Sequence, residues 1–254
     1  MRQLNIFALE KIPLIIPGDN LAKIIFNALK KSKLVIQDGD VFVIAQKIVS
    51  KAENRYVTLS EILPSKKASV LAQKTDKDPR LVELILRESK KVVRFRKGVI
   101  VVEHKLGFIH ANAGIDRSNI ESDSLNPRVL LLPKNPDLSA KQLQKELSKF
   151  LRKKIGIIIN DSSGRAWRNG IVGIAIGCSG VSVLSDLRGK KDLYGRTLEV
   201  TEVGIADELA SSASILMGQS NEGLPVVIIQ GLKLSKDKRG SKALLRLAKD
   251  DLFR

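Results

Sequence analysis

The sequence predicts a mixed α/β protein in which apolar strands alternate with amphipathic helices. Three short apolar runs carry this prediction, because turn residues bound each of them: 41–45, 99–102 and 226–229. Between these runs, apolar residues recur at spacings of three and four, the period of a helix that packs on one face. The chain has 254 residues, 43% of them hydrophobic, and is long enough to bury a sizeable core.

Each predicted element has a local signal. In chain order the elements are a helix capped by Asp19 or Asn20, a strand at 41–45, a helix opened by Asp78-Pro79, a strand at 99–102, a helix beginning at Ser139, strands at 157–159 and 170–177, a helix over 205–217, a strand at 226–229 and a C-terminal amphipathic helix over 241–253. The chain shows no convincing internal repeat.

Capping residues and glycines justify the less obvious boundaries. Asp and Asn side chains accept hydrogen bonds from the first helical turn, and proline is tolerated at the first helical position. Ser139 followed by Gln142 resembles a capping box. The strand at 41–45 is continuously apolar, which predicts burial on both faces. The glycines of 170–177 indicate close approach by a neighbouring backbone or a ligand.

Net charge favours anionic partners. The chain has 44 Lys and Arg against 27 Asp and Glu, a formal charge of +17, but the cations form short, dispersed clusters. Proteins that bind single-stranded nucleic acid usually add aromatic stacking platforms, and only 4% of these residues are aromatic. A basic nucleic-acid-binding module is therefore the alternative, and a small acidic ligand concentrated by the basic field is the preferred interpretation.

Cysteine content and hydropathy exclude several classes of protein. A single cysteine, Cys178, rules out an internal disulfide framework and predicts a packing residue rather than a catalytic thiol. No apolar run approaches the roughly 20 residues that span a bilayer, and the N-terminus lacks a signal-peptide pattern, so we expect a cytoplasmic protein. No GxxxxGK[ST] pattern occurs, which disfavours a Walker-type NTPase.

Two aspartates, each following an apolar run and predicted to stand at a turn, are the strongest chemical signal. They lie in Asn112-Ala113-Gly114-Ile115-Asp116 and in Ile159-Asn160-Asp161-Ser162. Carboxylates at strand ends can converge on one cation, with hydroxyl and amide oxygens completing the hard shell that Mg²⁺ or Mn²⁺ prefers. The alternative is that both aspartates only cap turns through local hydrogen bonds.

A series of short motifs makes the sequence similar to one family. In order and spacing, the motifs resemble those of the coenzyme F-420:L-glutamate ligases from about Leu9 to Gly231: Ile12-Pro13-Leu14-Ile15, Gly39-Asp40-Val41, Ser50-Lys51-Ala52-Glu53, Asn112-Ala113-Gly114-Ile115-Asp116, Leu131-Leu132-Pro133, Asp161-Ser162 with Gly164-Arg165, Trp167-Arg168, Asp192-Leu193-Tyr194-Gly195-Arg196 and Ala206-Asp207-Glu208-Leu209.

The resemblance implies a fold and an activity. It implies a ligase-like domain over 1–231, built of two interleaved lobes, followed by a basic extension over 232–254, and a homodimer whose interface helps to build the cleft. It also implies GTP-dependent joining of L-glutamate to an acidic heterocyclic acceptor, the deazaflavin F-420 precursor. A folate-type acceptor ending in a glutamyl group is the alternative. A nucleotide-binding protein that has lost ligation is another.

Site residues follow from the resemblance, residue by residue. The implied catalytic residues are Lys51, Asp116 and Asp161. Two metal ions would be bound by Asp116, Asp161, Ser162 and Gln219, where Ser162 replaces the usual threonine. The implied nucleotide-binding residues are Ile12, Pro13, Leu14, Ile15, Gln46, Lys47, Lys51, Asn119, Met217, Gly218, Gln219, Ser220, Asn221, Glu222, Gly223 and Leu224. Arg165 and Arg168 are candidates for binding substrate carboxylates.

One position is expected to depart from the family pattern. Gln219 stands where the resemblance implies a glutamate at the second metal, so the site keeps a carbonyl oxygen but loses a negative charge. We therefore expect the second cation to bind more weakly than the first. Glu222, three residues on, would compensate if the loop folds back.

Overall fold

The computed structural model describes residues 3–123, 125–232 and 239–252, which form a mixed α/β fold as predicted. The α-helices are α1 (Leu21–Lys31), α2 (Gln46–Ala52), α3 (Lys66–Thr75), α4 (Pro79–Arg87), α5 (Pro136–Leu151) and α6 (Ile205–Met217). The strands are β1 (Asn5–Ala8), β2 (Val41–Ala45), β3 (Tyr56–Thr58), β4 (Ser89–Arg96), β5 (Val99–His104), β6 (Ile109–Ala111), β7 (Arg128–Leu130), β8 (Gly156–Arg165), β9 (Arg168–Ser179), β10 (Ser185–Asp186), β11 (Glu202–Val203) and β12 (Val226–Gln230).

The largest sheet has five strands in the order β1-β12-β2-β8-β9. Only β2 and β8 run parallel, from the pair Val41 and Gly156 to the pair Ala45 and Asn160, and the other neighbours are antiparallel. The parallel pairing stops at Ala45 and Asn160, so the residues that follow these two positions are brought together there.

Helices cover both faces of this sheet, which explains the continuous apolarity of its central strands. Phe42 and Ile44 face a core shared with α1 and α5, whereas Val41 and Val43 face α6. All four side chains are fully buried. Two glycines of β9 allow the helices to approach closely. A Cβ atom added at Gly173 would lie 2.5 Å from Ala210 O, and one added at Gly177 would lie 2.5 Å from the Pro136 backbone.

A second, three-stranded antiparallel sheet is formed by β4, β5 and β6. Alternate residues of β5 are buried, and Ile100 and Val102 pack against α3 and α4. The same alternation buries His104, and the pairing of Val102 with His110 brings the second histidine of the chain to the same face. A short antiparallel pair, β3–β7, completes this part of the fold. Asp116 forms an isolated antiparallel bridge with Leu130 of β7.

The predicted helix starts at Asn20 and at Asp78-Pro79 are confirmed. Asn20 Oδ1 accepts a hydrogen bond from Lys23 N at 2.8 Å, and Asp78 Oδ1 accepts one from Arg80 N at 2.8 Å. The predicted start at Ser139 is wrong, because α5 begins at Pro136. Asn135 caps this helix, and the Ser139 hydroxyl instead donates to Glu53 Oε1 at 2.5 Å.

The predicted C-terminal helix over 241–253 is also wrong for the described residues. The segment forms two separate 3-10 turns, Ser241–Leu244 and Ala248–Asp250, and Phe253 lies outside the described residues. The first turn is held on the sheet by tertiary contacts: Ser241 Oγ donates to Ile176 O at 2.8 Å. Within the described ranges, no helix has the length and apolarity needed to cross a membrane.

Candidate active site

A cavity of about 1120 Å³ opens where the parallel pairing of β2 with β8 stops, at Ala45 and Asn160. Its walls come from the segment before α1, the start of α2, the turn around Asp116, and the loop after α6. The predicted catalytic, metal and nucleotide residues all line it: Ile12, Pro13, Leu14, Ile15, Gln46, Lys47, Lys51, Asp116, Asn119, Asp161, Ser162, Met217, Gly218, Gln219, Ser220, Asn221, Glu222, Gly223 and Leu224.

Asp161 does not stand at a turn, contrary to the sequence-based expectation. It lies inside β8, which continues to Arg165 as one arm of the hairpin with β9. The prediction failed because the polar run after Ile159 looks like a loop, whereas β9 pairs with it throughout. Asp161 nevertheless follows the last residue that β8 pairs with β2. Its side chain is 12% exposed and faces the cavity.

Asp116 is positioned by a strained turn. Asn112, Ala113 and Gly114 have φ values of 50°, 55° and 66°, a left-handed conformation that is unfavourable for alanine. A Cβ at Gly114 would also lie 2.7 Å from the Leu132 side chain. Beyond the turn, Asp116 exchanges two backbone hydrogen bonds with Leu130, at 2.9 and 3.0 Å. Backbone strain of this kind concentrates at functional sites.

The Asp116 carboxylate is held by residues at the start of α2. Gln46 Nε2 donates to its Oδ2 at 2.6 Å, and Lys47 Nζ lies 3.3 Å from its Oδ1. Lys47 also donates to Ser118 O at 2.9 Å, which fixes the position of the ammonium. Burial, and in addition the charge of Asp161, raise the pKa of Asp116 even though Lys47 opposes them. A further cation between the two carboxylates would relieve this repulsion.

His110 is a site residue that the sequence did not reveal. Its Nε2 lies 3.0 Å from Asp161 Oδ2, and apart from this contact neither atom has a hydrogen-bond partner among the described residues. Its Nδ1 lies 3.0 Å from Ala111 O, which can only accept. Burial disfavours the charged imidazolium, but the Asp161 carboxylate and the Ala111 carbonyl outweigh it and raise the pKa of His110. No short motif marks this residue, because the contact depends on the pairing of β5 with β6.

Lys51 projects into the same cavity from the last turn of α2. Burial and the nearby Lys47 lower the pKa of Lys51, and Asp116 opposes that effect. Within the described part of the chain, no residue hydrogen-bonds or ion-pairs with the Lys51 ammonium. An ammonium without an ion-pair partner, beside a second lysine, is suited to an anionic ligand.

The loop after α6 closes the other side of the cavity. Asn119 Nδ2 donates to Ser220 O at 2.6 Å, and Ser162 Oγ donates to Gln219 Oε1 at 2.8 Å. These two hydrogen bonds tie the loop to the segments that carry the aspartates. The Glu222 carboxylate accepts a hydrogen bond from Ser220 N at 2.8 Å, so it is directed at its own loop.

Two further predicted residues lie elsewhere. Arg165 and Arg168 are exposed at the tip of the β8–β9 hairpin and do not line the cavity.

Cys178 is 4% exposed and packs in the core against α6, as predicted for a packing residue. Burial raises the pKa of the Cys178 thiol, which keeps it protonated and unreactive.

Tyr56 and Arg128 line the cavity, although the sequence gave no signal for either. The Arg128 guanidinium lies over the Tyr56 ring, 4.1 Å from its centroid. Both residues belong to the short β3–β7 pair, which lacks the long apolar run that makes a strand predictable.

The donor set fits a hard divalent cation. Among the described residues, no three His, Cys, Asp or Glu side chains surround one point, so a cation here would be held by two carboxylates and by neutral oxygens. Ser162 and Gln219 supply such oxygens beside Asp161. The side-chain amide of the neighbouring Asn160 is turned towards α6, where its Nδ2 donates to Ser214 Oγ at 2.9 Å, so it is not counted among these donors. Oxygen donors of this kind suit Mg²⁺ or Mn²⁺.

Comparison with known proteins gives a consistent result over the whole chain. The sequence model of a family described as F420-0:gamma-glutamyl ligase matches residues 10–231. The chain is 44% identical to the coenzyme F420:L-glutamate ligase of Methanocaldococcus jannaschii, over 100% of this chain and 98% of the relative. It is also 44% identical to the enzyme of the same name from Methanothermobacter thermautotrophicus, over 99% of each chain.

Proposed function

Because the chain belongs to the F420-0:gamma-glutamyl ligase family, whose members form amide bonds, we propose that it joins L-glutamate to the coenzyme F420 precursor, F420-0, at the expense of GTP. The observation that carries the proposal is the pair of carboxylates, Asp116 and Asp161, on the floor of a cavity lined by cations. The relatives named for coenzyme F420 support this acceptor over a folate.

The proposed chemistry begins with the acceptor carboxylate, which is a poor acyl donor because its oxygen is a bad leaving group. A carboxylate oxygen attacks the γ-phosphorus of GTP, and GDP leaves with the electrons of the broken bond. The resulting acyl phosphate is attacked at its carbonyl carbon by the L-glutamate amine. Inorganic phosphate then leaves from the tetrahedral intermediate, the amine loses a proton, and the amide remains.

In this proposal Asp116 and Asp161 hold Mg²⁺ or Mn²⁺, with Ser162 and Gln219 as neutral ligands. When bound, the cations neutralise phosphate charge. Lys51 binds phosphate oxygens, for which its unpaired ammonium in the cavity is suited. Lys47, fixed between Asp116 and Ser118, contributes a second positive charge. The site thereby brings together three anionic substrates that repel one another in water.

The nucleotide is proposed to lie between two wall segments, residues 12–15 and 217–224. Ile15 is buried, whereas Leu14 is 89% exposed at the cavity and is available to pack on a base. The Asn119–Ser220 hydrogen bond fixes the second segment against the turn that carries Asp116. The base contacts and the phosphate contacts would thus be held in one rigid unit.

The second cation is proposed to bind more weakly than the first. Gln219 offers a neutral oxygen, and Glu222 does not replace the missing charge, because its carboxylate is directed at Ser220 N. A Mn²⁺ titration of the GTP complex should show two sites of unequal affinity. Two equally tight sites would contradict this part of the proposal.

A homodimer is also proposed, and exposed apolar side chains support it. Trp167, Leu193 and Tyr194 are 88%, 99% and 92% exposed, and large apolar and aromatic side chains of this kind are enriched at the cores of interfaces. Sedimentation analysis would test this. The cytoplasmic location and the boundary at residue 231 stay predictions.

The decisive experiment supplies GTP, Mg²⁺ or Mn²⁺, and L-glutamate, with F420-0 and tetrahydrofolate offered as separate acceptors. Mass spectrometry should detect glutamyl addition to F420-0. Addition to tetrahydrofolate alone would move the acceptor to the folate class. Tight GTP binding without addition to either acceptor would indicate a protein that has lost ligation, and salt-sensitive oligonucleotide binding that survives Asp161→Asn would favour the nucleic-acid alternative.

A further inference from the structure

The cavity extends beyond the residues assigned to catalysis, to the cations and to the nucleotide. Its volume of about 1120 Å³ exceeds the roughly 300–1,000 Å³ of a typical single-ligand site. The additional wall is formed by Tyr56, Ile120, Glu121 and Arg128, none of which has an assigned role. The volume and the unassigned wall together indicate room for a second ligand beside the nucleotide.

Strand pairing places this wall next to the carboxylates. Leu130 is paired with Tyr56 on one side and with Asp116 on the other. Directly paired residues project from the same face of a sheet, and Arg128, two residues before Leu130, projects from that face as well. A strand rises about 3.3 Å per residue, so Arg128 lies roughly 7 Å along the strand from the row that contains Asp116.

The chemistry of the wall suits a flat, acidic ligand. The Arg128 guanidinium stacks on Tyr56 at 4.1 Å, which leaves its N–H groups free to point outward in the plane of the guanidinium. No carboxylate of the described residues forms an ion pair with it. Glu121 also lines this wall and opposes the binding of an anion, but it is exposed, so solvent screens its charge.

We propose that the Arg128–Tyr56 pair binds the acceptor substrate, a planar heterocycle with an acidic tail, through a second anionic group of that tail. The proposal rests on the function proposed above. It places the reacting carboxylate of the acceptor at Asp116 and Asp161 and another anionic group of the acceptor at the Arg128 guanidinium, which lies over Tyr56. L-Glutamate is the other acidic substrate that this wall could receive, and the KM measurements below distinguish the two. The nucleotide is assigned to the opposite wall, residues 12–15 and 217–224.

Steady-state kinetics test the proposal, with KM measured for each substrate in turn. Arg128→Gln should raise the KM for F420-0 about 10-fold or more, as expected for loss of one charge-assisted contact, and leave the KM values for GTP and L-glutamate nearly unchanged. Arg128→Lys keeps the charge but not the planar fork and should recover only part of the loss. Tyr56→Leu removes the ring on which the Arg128 guanidinium lies and should resemble Arg128→Gln.

Arg94→Gln is the matched control, because it removes the same charge from an exposed position on β4 outside the cavity. Its KM values should equal those of the wild type. An Arg128→Gln enzyme with an unchanged KM for F420-0, or with a raised KM for GTP or L-glutamate instead, would overturn the proposal.

Equilibrium dialysis with F420-0 alone separates the two proposals. If the wild type binds F420-0 and Arg128→Gln does not, the acceptor site stands even when no glutamyl transfer is detected. If the wild type ligates but both proteins bind F420-0 equally, the acceptor site fails and the ligase function stands.

Discussion

The five-stranded sheet and the cavity at its edge are built from opposite kinds of residue. In the sheet, side chains such as Ile158 and Ile228 are fully buried among other apolar groups, and β2 pairs in continuous register with both β12 and β8. In the cavity, Asp116 and Asp161 are close enough for the charge of Asp161 to raise the pKa of Asp116.

Because of this difference, we expect the sheet to determine the stability of the protein and the cavity to determine its activity. Burial of apolar area stabilises the sheet, whereas the cavity keeps charges together that would lower their energy by moving apart. Substitutions in the sheet should therefore change the free energy of unfolding with little change in the chemistry. Substitutions in the cavity should do the reverse, and each prediction below tests one side of this comparison.

The largest effect is expected for Asp161→Asn. The change removes a charge that the proposed cation requires, so we expect turnover to fall about 1,000-fold or more, equivalent to about 4 kcal/mol of transition-state stabilisation. The free energy of unfolding should change by less than about 1 kcal/mol, because repulsion with Asp116 is relieved while the His110 contact is lost. Glutamyl transfer and urea denaturation measure the two quantities. Full activity would refute the role of Asp161.

The reverse pattern is expected for Ile228→Ala in β12. Ile228 is fully buried in the core shared with α1 and α5, so its truncation leaves a cavity and should cost about 2–5 kcal/mol of stability. At a temperature where the variant stays folded, kcat should match that of the wild type. A large loss of kcat in the folded variant would show that the two regions are coupled rather than separable.

The contrast between the sheet and the cavity also explains which elements of the fold could be predicted from the sequence. The strands of the large sheet were found because β2 and β12 are buried on both faces and therefore read as continuous apolar runs. The short β3–β7 pair has no such run, and Ser139 looked like a helix cap only because the sequence does not show that Glu53 accepts its hydrogen bond.

In the cavity, the sequence predicted residues that the family motifs indicate and missed the others. The predicted catalytic, metal and nucleotide residues, from Ile12 to Leu224, all line one cavity, whereas Arg165 and Arg168 do not. Those placed there by strand register were missed. His110 reaches Asp161 because β6 pairs with β5, and Arg128 reaches the cavity because β7 pairs with β3. Register is a long-range property, so the local pattern around either residue contains no trace of it.

Buried His104 extends the comparison to the effect of pH on the free energy of unfolding. Burial, and then the charge on His110, lower the pKa of His104 to about 4 from an ordinary 6.5. The unfolded chain therefore takes up a proton as the pH falls below 6.5 while the folded protein does not, and about 3 kcal/mol of stability is lost on approaching pH 4.

His104→Asn tests this dependence and keeps an acceptor for Leu106 N, which donates to His104 Nδ1 at 3.0 Å. The difference in unfolding free energy between pH 7 and pH 4.5 should be about 2–3 kcal/mol smaller in the variant than in the wild type. Equal pH dependence of urea denaturation in the two proteins would show that His104 is not the titrating group.

The smallest effect is expected at His110, which contacts the cavity although it belongs to the second sheet. Its Nε2 holds Asp161 Oδ2 at 3.0 Å, so it fixes the carboxylate that we assign to the cation. Removal of such a supporting contact typically costs about 10- to 100-fold in metal affinity, and we expect that range for Mn²⁺ binding to His110→Asn.

The matched variants distinguish this supporting role from a general loss of packing. His110→Gln keeps an N–H donor near the position of Nε2 and should retain most of the Mn²⁺ affinity, whereas His104→Asn alters the other buried histidine and should leave the affinity unchanged. Free Mn²⁺ counted by electron paramagnetic resonance measures the affinity without reference to turnover. Equal weakening by all three substitutions would mean that the second sheet supports the cavity only through its overall packing. The residues that determine activity would then be separated from those that determine stability between the two sheets, not at the edge of the cavity.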